Sequence, residues 1–182
     1  ANITLPDMKK APLKMSSIVL SSQRTPDAKK STDPLVRDGM EWVPNVPHVF
    51  RQDQHLYFLY EVYDPAREKG TPAPPASPGL ERRPSGQVHV LTSIEFMRGG
   101  VKVYETPLVA ADTLNTPDRN AVSFQFDVPL NQLKPGTYIC QVNVIDDAGG
   151  SFSFPRMALM VRAAAPAVAP AGASQNPAAP AQ

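Results

Sequence analysis

Leu133-Lys134-Pro135-Gly136-Thr137-Tyr138-Ile139-Cys140-Gln141-Val142-Asn143-Val144-Ile145 is the stretch on which the fold turns. From Tyr138 onward it has period two: Tyr138, Cys140, Val142 and Val144 share one side, and Ile139, Gln141, Asn143 and Ile145 share the other. Strict alternation is the mark of a strand with one face buried. The two isoleucines make the second side partly apolar as well, which predicts a central position in its sheet. Before the alternation begins, Pro135-Gly136 supplies a turn.

The same period recurs on both sides of this stretch. Val122, Phe124, Phe126 and Val128 alternate with Ser123, Gln125 and Asp127, and Leu56, Phe58, Tyr60 and Val62 form another such run. Val88, Val90, Thr92, Ile94 and Phe96 make a further strand, which Gly99-Gly100 turns into Val101 and Val103. Lys14–Ser21 and the short Val46–Phe50 are also read as strands. Ser151–Val161 returns after the Asp146-Asp147-Ala148-Gly149-Gly150 turn, with Pro155 breaking its register. None of the 21 prolines falls within the four best-patterned runs. No convincing helical stretch exists, so the expected class is all-β: an immunoglobulin-like antiparallel β-sandwich of seven or eight strands. The Leu-x-Pro-Gly-x-Tyr turn, with Cys140 two positions after the tyrosine, looks like the tyrosine corner of immunoglobulin-like sandwiches. Leu133, Pro135, Gly136 and Tyr138 are its expected members. Cys140, the only cysteine, has no partner for a disulfide and is read as a small buried hydrophobe.

The chain has 182 residues and a formal net charge of +1, which argues against a globally basic nucleic-acid binder. No apolar run approaches the roughly 18 residues of a membrane helix, so no membrane insertion is expected. The organisation follows from composition. Residues 13–162 read as the sandwich, 64–87 as a long Pro-rich loop within it, and 163–182 as an Ala/Pro-rich disordered tail. Gln23–Pro34 reads as a polar loop.

Residues with chemical potential are few. His48, His55 and His89 are the only imidazoles. His48, Asp53 and His55 bracket one turn and would need to converge to hold a metal, but no spacing fixes two of them on one face. Glu61 lies on the second face of its strand with Tyr57, Leu59 and Tyr63; a cross-strand salt bridge is the expected role, and reception of a ligand hydroxyl or an interface arginine is the other. Asp146-Asp147, with Asp64 or Asp118, would be a calcium loop or, more simply, a hairpin turn. Trp42, Tyr57, Glu61, Tyr63 and Tyr104 are the candidate interaction face, for a sugar or a protein. Nothing matches a nucleophile elbow, a phosphate loop or a Cys–His pair, so no catalytic residue, cofactor or metal site is expected.

Several segments together resemble the C-terminal region of acidobacterial von Willebrand factor A-related proteins. They are Leu5-Pro6-Asp7-Met8, Leu13 to Ser21, Pro34-Leu35-Val36, Val46 to Phe50, Leu56 to Pro65, and Cys140 to Asp146. The resemblance implies a β-rich module of a secreted or cell-envelope protein, following an upstream A-type domain. It also implies that residues 1–12 are a remnant strand and linker from an upstream β domain. The Asp-x-Ser-x-Ser metal loop of A-type domains is absent here, so metal-dependent adhesion is not implied. The expected function is a non-catalytic structural or protein-interaction module, with a carbohydrate- or calcium-binding module as the alternative. Its expected partners are a neighbouring domain of the same polypeptide and another envelope protein.

Overall fold

A computed structural model describes residues 13–27, 33–69 and 86–165. The remnant strand at 1–12, most of the Pro-rich loop and the tail from 166 onward lie outside the described residues. Among the described residues thirteen strands run in chain order: β1 Lys14–Met15, β2 Val19–Pro26, β3 Val36–Arg37, β4 Met40–Pro44, β5 Val49–Arg51, β6 His55–Tyr63, β7 Val90–Arg98, β8 Val101–Glu105, β9 Val109–Ala111, β10 Ala121–Pro129, β11 Gly136–Asp146, β12 Ser151–Ser153 and β13 Arg156–Arg162. The number exceeds the seven or eight expected because several are two or three residues long and carry too little alternation to read.

The strands form two sheets. The first has the order β1-β6-β2-β4-β3, with β10 on the other side of β6; the second has the order β5-β13-β11-β7-β8, with β12 beside β11 and β9 beside β7. All pairings are antiparallel except β5 with β13, where Val49–Arg51 runs parallel to Met160–Arg162. β11 lies between β7 and β13, as its two-sided apolar character predicts. The alternating residues of β6, β7, β10 and β11 face inward and join one core. It contains Leu56, Phe58, Tyr60, Val62, Ile94, Phe96, Val122, Phe124, Cys140, Val142 and Val144. A polar link crosses that core: the Tyr60 hydroxyl is 2.5 Å from Thr92 Oγ1, which also donates to the Asn143 carbonyl at 2.6 Å.

Three readings are corrected in detail. Lys14–Ser21 is not one strand. β1 and the start of β2 both pair with β6, but Met15↔Val62 and Val19↔Leu59 differ by one residue in register, so Ser16–Ile18 forms a bulge. Gln23–Pro26, read as loop, continues β2 because β4 pairs with it, Arg24 opposite Trp42. Pro155 interrupts the last strand without shifting its register. Ser153↔Val144 and Arg156↔Gln141 lie on one continuous register, and the Pro155 carbonyl accepts from Val142 N at 3.0 Å. Proline lacks a donor but keeps its acceptor, so one ladder bond survives.

The corner forms. Tyr138 is buried, and its hydroxyl donates to the Lys134 carbonyl four residues upstream at 2.5 Å. Leu133 is buried as well. Gly136 has φ +153°, and a Cβ there would lie 2.9 Å from Arg98 Nη2, whose guanidinium stands over the Tyr138 ring. Glycine is therefore required at this position for backbone conformation.

Candidate functional site

The outward side chains of β6, namely Tyr57, Leu59, Glu61 and Tyr63, lie on the outer face of the first sheet. A second small cluster is built there. Val36-Arg37-Asp38-Gly39-Met40 is a tight hairpin, with φ +52° at Asp38 and +74° at Gly39. Two consecutive residues at positive φ match the twist of flanking strands, and Asp-Gly is the dipeptide that adopts this conformation most readily. The sheet curls so that this hairpin returns over its own outer face. Asp38 accepts from Gln125 Nε2 of β10 at 2.7 Å, across the width of the sheet.

The curl brings Arg37 onto Glu61. Arg37 Nη2 donates to Glu61 Oε1 at 2.7 Å, and Arg119 Nη1 donates to both carboxylate oxygens at 3.1 and 3.2 Å. The Tyr63 hydroxyl donates to Oε2 at 2.8 Å. Arg119 is delivered by the single turn Pro117–Arg119, closed by left-handed Asn120. Glu61 is 4% exposed. Burial alone would disfavour its charge, but the hydrogen bonds from Tyr63 and Arg37 and the two guanidinium charges outweigh it, holding the carboxyl below its ordinary value. Tyr63 is shifted the opposite way, by burial and by its bond to the carboxylate.

Beside this group is a depression of about 200 Å³, walled by Val19, Pro34, Leu35 and Leu59 and closed at one end by Arg37, Glu61, Tyr63 and Arg119. Arg37 Nε is buried and has no hydrogen-bond partner among the described residues. Glu61 is thus salt-bridged, but not across the strand pair as the sequence suggested. Its partners come from a hairpin and a turn, not from the strand directly opposite, where Ser123 stands.

The other candidates separate. Trp42 is 1% exposed and meets Tyr57 edge to face at 5.9 Å. Arg24 lies over both rings, 3.9 Å from the centroid of Tyr57, so those two rings stack on a guanidinium within the protein. Tyr104 is on the second sheet, where it packs against Phe96 of the main core. The histidines do not converge: His48 Nδ1 is 3.2 Å from the Ala158 carbonyl, His55 pairs with Asp127, and His89 with Asp112. Asp53 is held by Arg51. Asp64 takes Lys14 and Asn120, while buried Asp146 accepts from the backbone of Ala66 and Gly149, a turn-and-loop anchor. Among the described residues no three His, Cys, Asp or Glu side chains are grouped to hold a metal ion.

Sequence reasoning missed Arg24, Arg37 and Arg119 as partners of these residues. The Asp38-Gly39 dipeptide carried a readable hairpin signal; the arginines carried none, because their partners are 24 and 58 residues away in the case of Glu61. It also missed Phe152 and Phe154, which stack at 5.3 Å and are 61% and 46% exposed. Phe152 pairs across from Ile145 on the outer face of the second sheet. Ile139 and Met160 lie exposed further along β11 and β13. Comparison with protein-family models and with curated proteins returned no match.

Proposed function

We propose that the chain is a non-catalytic structural or protein-interaction module of a secreted or cell-envelope protein. The observation that carries the reading is the outer face of the second sheet. There the stacked and exposed Phe152 and Phe154 adjoin Ile145, while Ile139 and Met160 lie apart on the same face, beyond Asn143 and Gln141. Isolated exposed apolar side chains are ordinary on a protein surface, but a contiguous group with two stacked aromatic rings is what contact surfaces present. The location rests on the resemblance of Leu13–Ser21, Leu56–Pro65 and Cys140–Asp146 to the C-terminal region of acidobacterial von Willebrand factor A-related proteins. In this reading the partner is a neighbouring domain of the same polypeptide or another envelope protein.

The test is site-specific photo-cross-linking in the native host, with the reactive group at position 152 and, as control, at the exposed Asp118 on the opposite side of the molecule. Position 152 is expected to give a discrete adduct with an envelope polypeptide, or within the longer parent polypeptide, and position 118 is expected to give none. Equal yields at the two positions, or recovery of the protein from the cytosol alone, would overturn the reading.

A further inference from the structure

The second sheet ends on one side in an open backbone edge. Val142 N donates to the Pro155 carbonyl, so Pro155 turns its backbone toward β11, as do Ser151 and Ser153 at the same parity. The residues between them, Phe152 and Phe154, and Arg156 beyond, therefore aim their N–H and C=O groups away from β11. Met160 shares that parity, and its N–H donates outward to the His48 carbonyl at 2.9 Å. Among the described residues no strand lies beside 152–156: β12 pairs with β11 alone, and β5 begins opposite Met160. Proline guards many edges because it lacks a donor, but Pro155 turns that defect inward and leaves every outward donor in place. Residues 151–155 carry no charge. The other long edges are guarded. On β10, Asn115 closes Ser123, accepting from its N–H at 2.6 Å and donating to its carbonyl at 2.8 Å. On β8, a one-residue bulge and Lys102 interrupt the edge.

We propose that the 152–156 edge pairs with the same edge of a second copy of the chain, antiparallel about a two-fold axis at Phe154, so that the two second sheets become continuous. The register follows from the ends of the strip. The Asp147–Gly150 turn closes one end, and His48 closes the other, its Nδ1 3.2 Å from the Ala158 carbonyl. The three outward residues left between them are centred on Phe154. In that register Phe154 exchanges both backbone bonds with its own counterpart, and Phe152 does so with Arg156 of the second copy. Pro155 then faces Ser153 at a position where no bond is made, so its missing donor is not felt. The side chains are complementary as well. All three lie on the outer face, where Gln141 Oε1 accepts from Arg156 Nε at 2.6 Å. The two Phe154 rings meet as a cross-strand aromatic pair, and each Arg156 guanidinium stands beside a Phe152 ring, a cation–π arrangement. This pairing rests on the reading of Phe152 and Phe154 as a contact surface, and it makes the partner a second copy of the chain.

The experiment is sedimentation equilibrium of the full chain from about 10 μM to about 1 mM, with ¹H–¹⁵N spectra to confirm folding. A strip this short makes a small interface, so a dimer with Kd on the order of 0.1 mM is expected. Phe152→Lys sets like charges opposite each other and should weaken the dimer at least about tenfold; adding Arg156→Glu sets Lys against Glu and should bring the affinity back to within about threefold. Should Phe152→Lys fail to fold, Phe154→Lys brings two lysines face to face on the axis and carries the first expectation. A chain that stays monomeric at about 1 mM, a dimer that the lysine variant leaves unchanged, or no recovery in the double variant would each overturn the pairing. Photo-cross-linking at position 152 separates this failure from that of the contact surface itself: an adduct with a different polypeptide refutes the second copy and leaves the surface standing, whereas equal yields at positions 152 and 118 remove both.

Discussion

Arg37 and Glu61, 24 residues apart in the chain, meet through Nη2 and Oε1 at 2.7 Å with the carboxylate side chain 5% exposed. This contact ties the returning β3–β4 hairpin to the middle of the first sheet. Removing one partner of a buried pair leaves the other charged and desolvated. Glu61→Gln is therefore expected to destabilise the fold by about 3 kcal/mol, the low end for such pairs because Arg119 keeps partial access to water. The pH dependence has a definite sign. The folded Glu61 carboxyl is held below its ordinary value of 4.5, so its stabilising contribution is complete above that value and is lost as pH falls through the lower folded value. Urea unfolding from pH 7 down to pH 3 should show stability falling below about pH 4.5 more steeply in the wild type than in Glu61→Gln; parallel curves would refute the assignment.

Tyr60 and Thr92 join the two sheets through the core, and their bond allows a test of asymmetry. Burial pushes the Tyr60 phenol up, so it stays a neutral donor. Tyr60→Phe leaves Thr92 bonded to Asn143 and is expected to cost about 1 kcal/mol, whereas Thr92→Val strands the buried phenol and should cost about 2 kcal/mol. The double variant should lose less than the sum, by double-mutant cycle from denaturant midpoints. Strict additivity would mean that the two groups are not coupled.

At the corner, Tyr138→Phe removes the bond to the Lys134 carbonyl, with an expected loss of about 1–3 kcal/mol in thermal or chemical unfolding. Gly136→Ala should cost a similar amount, about 1–3 kcal/mol, through backbone strain at φ +153°, since the Arg98 side chain it meets is able to move aside. If both variants unfold at the wild-type midpoint, the corner contributes nothing to stability.

Cys140 is buried among Val142, Tyr138 and Phe96, and burial pushes its thiol up. A thiol kept protonated and out of contact with solvent is a poor nucleophile. The native protein at pH 8 should release no chromophore from a thiol-exchange reagent over minutes, and one equivalent after addition of guanidinium chloride. A prompt reaction in the native state would show that β11 opens readily.

The inward rows of β6, β7, β10 and β11 could be read from the sequence because alternation is a local property: a side chain two positions along a strand returns to the same face whatever lies opposite. The same argument identified the corner, whose members Leu133 to Tyr138 are neighbours in the chain, and placed Cys140 in the core. Glu61, Tyr57 and Tyr63 were assigned correctly to one outward face for that reason. What that face does is a different matter. Trp42 is buried, Arg24 covers Tyr57, and Arg37 and Arg119 reach Glu61 only because the first sheet curls until Asp38 meets Gln125, 87 residues away in the chain. Sheet curl is the sum of twists over many strands together with a one-residue bulge at Ser16–Ile18, and no short window contains it. Period, turn chemistry and the inward faces were thus determined by the sequence alone. The burial of the outer face, the pairing of its charges and the depression between them were decided by tertiary structure, since they depend on where distant strands are carried by the twist.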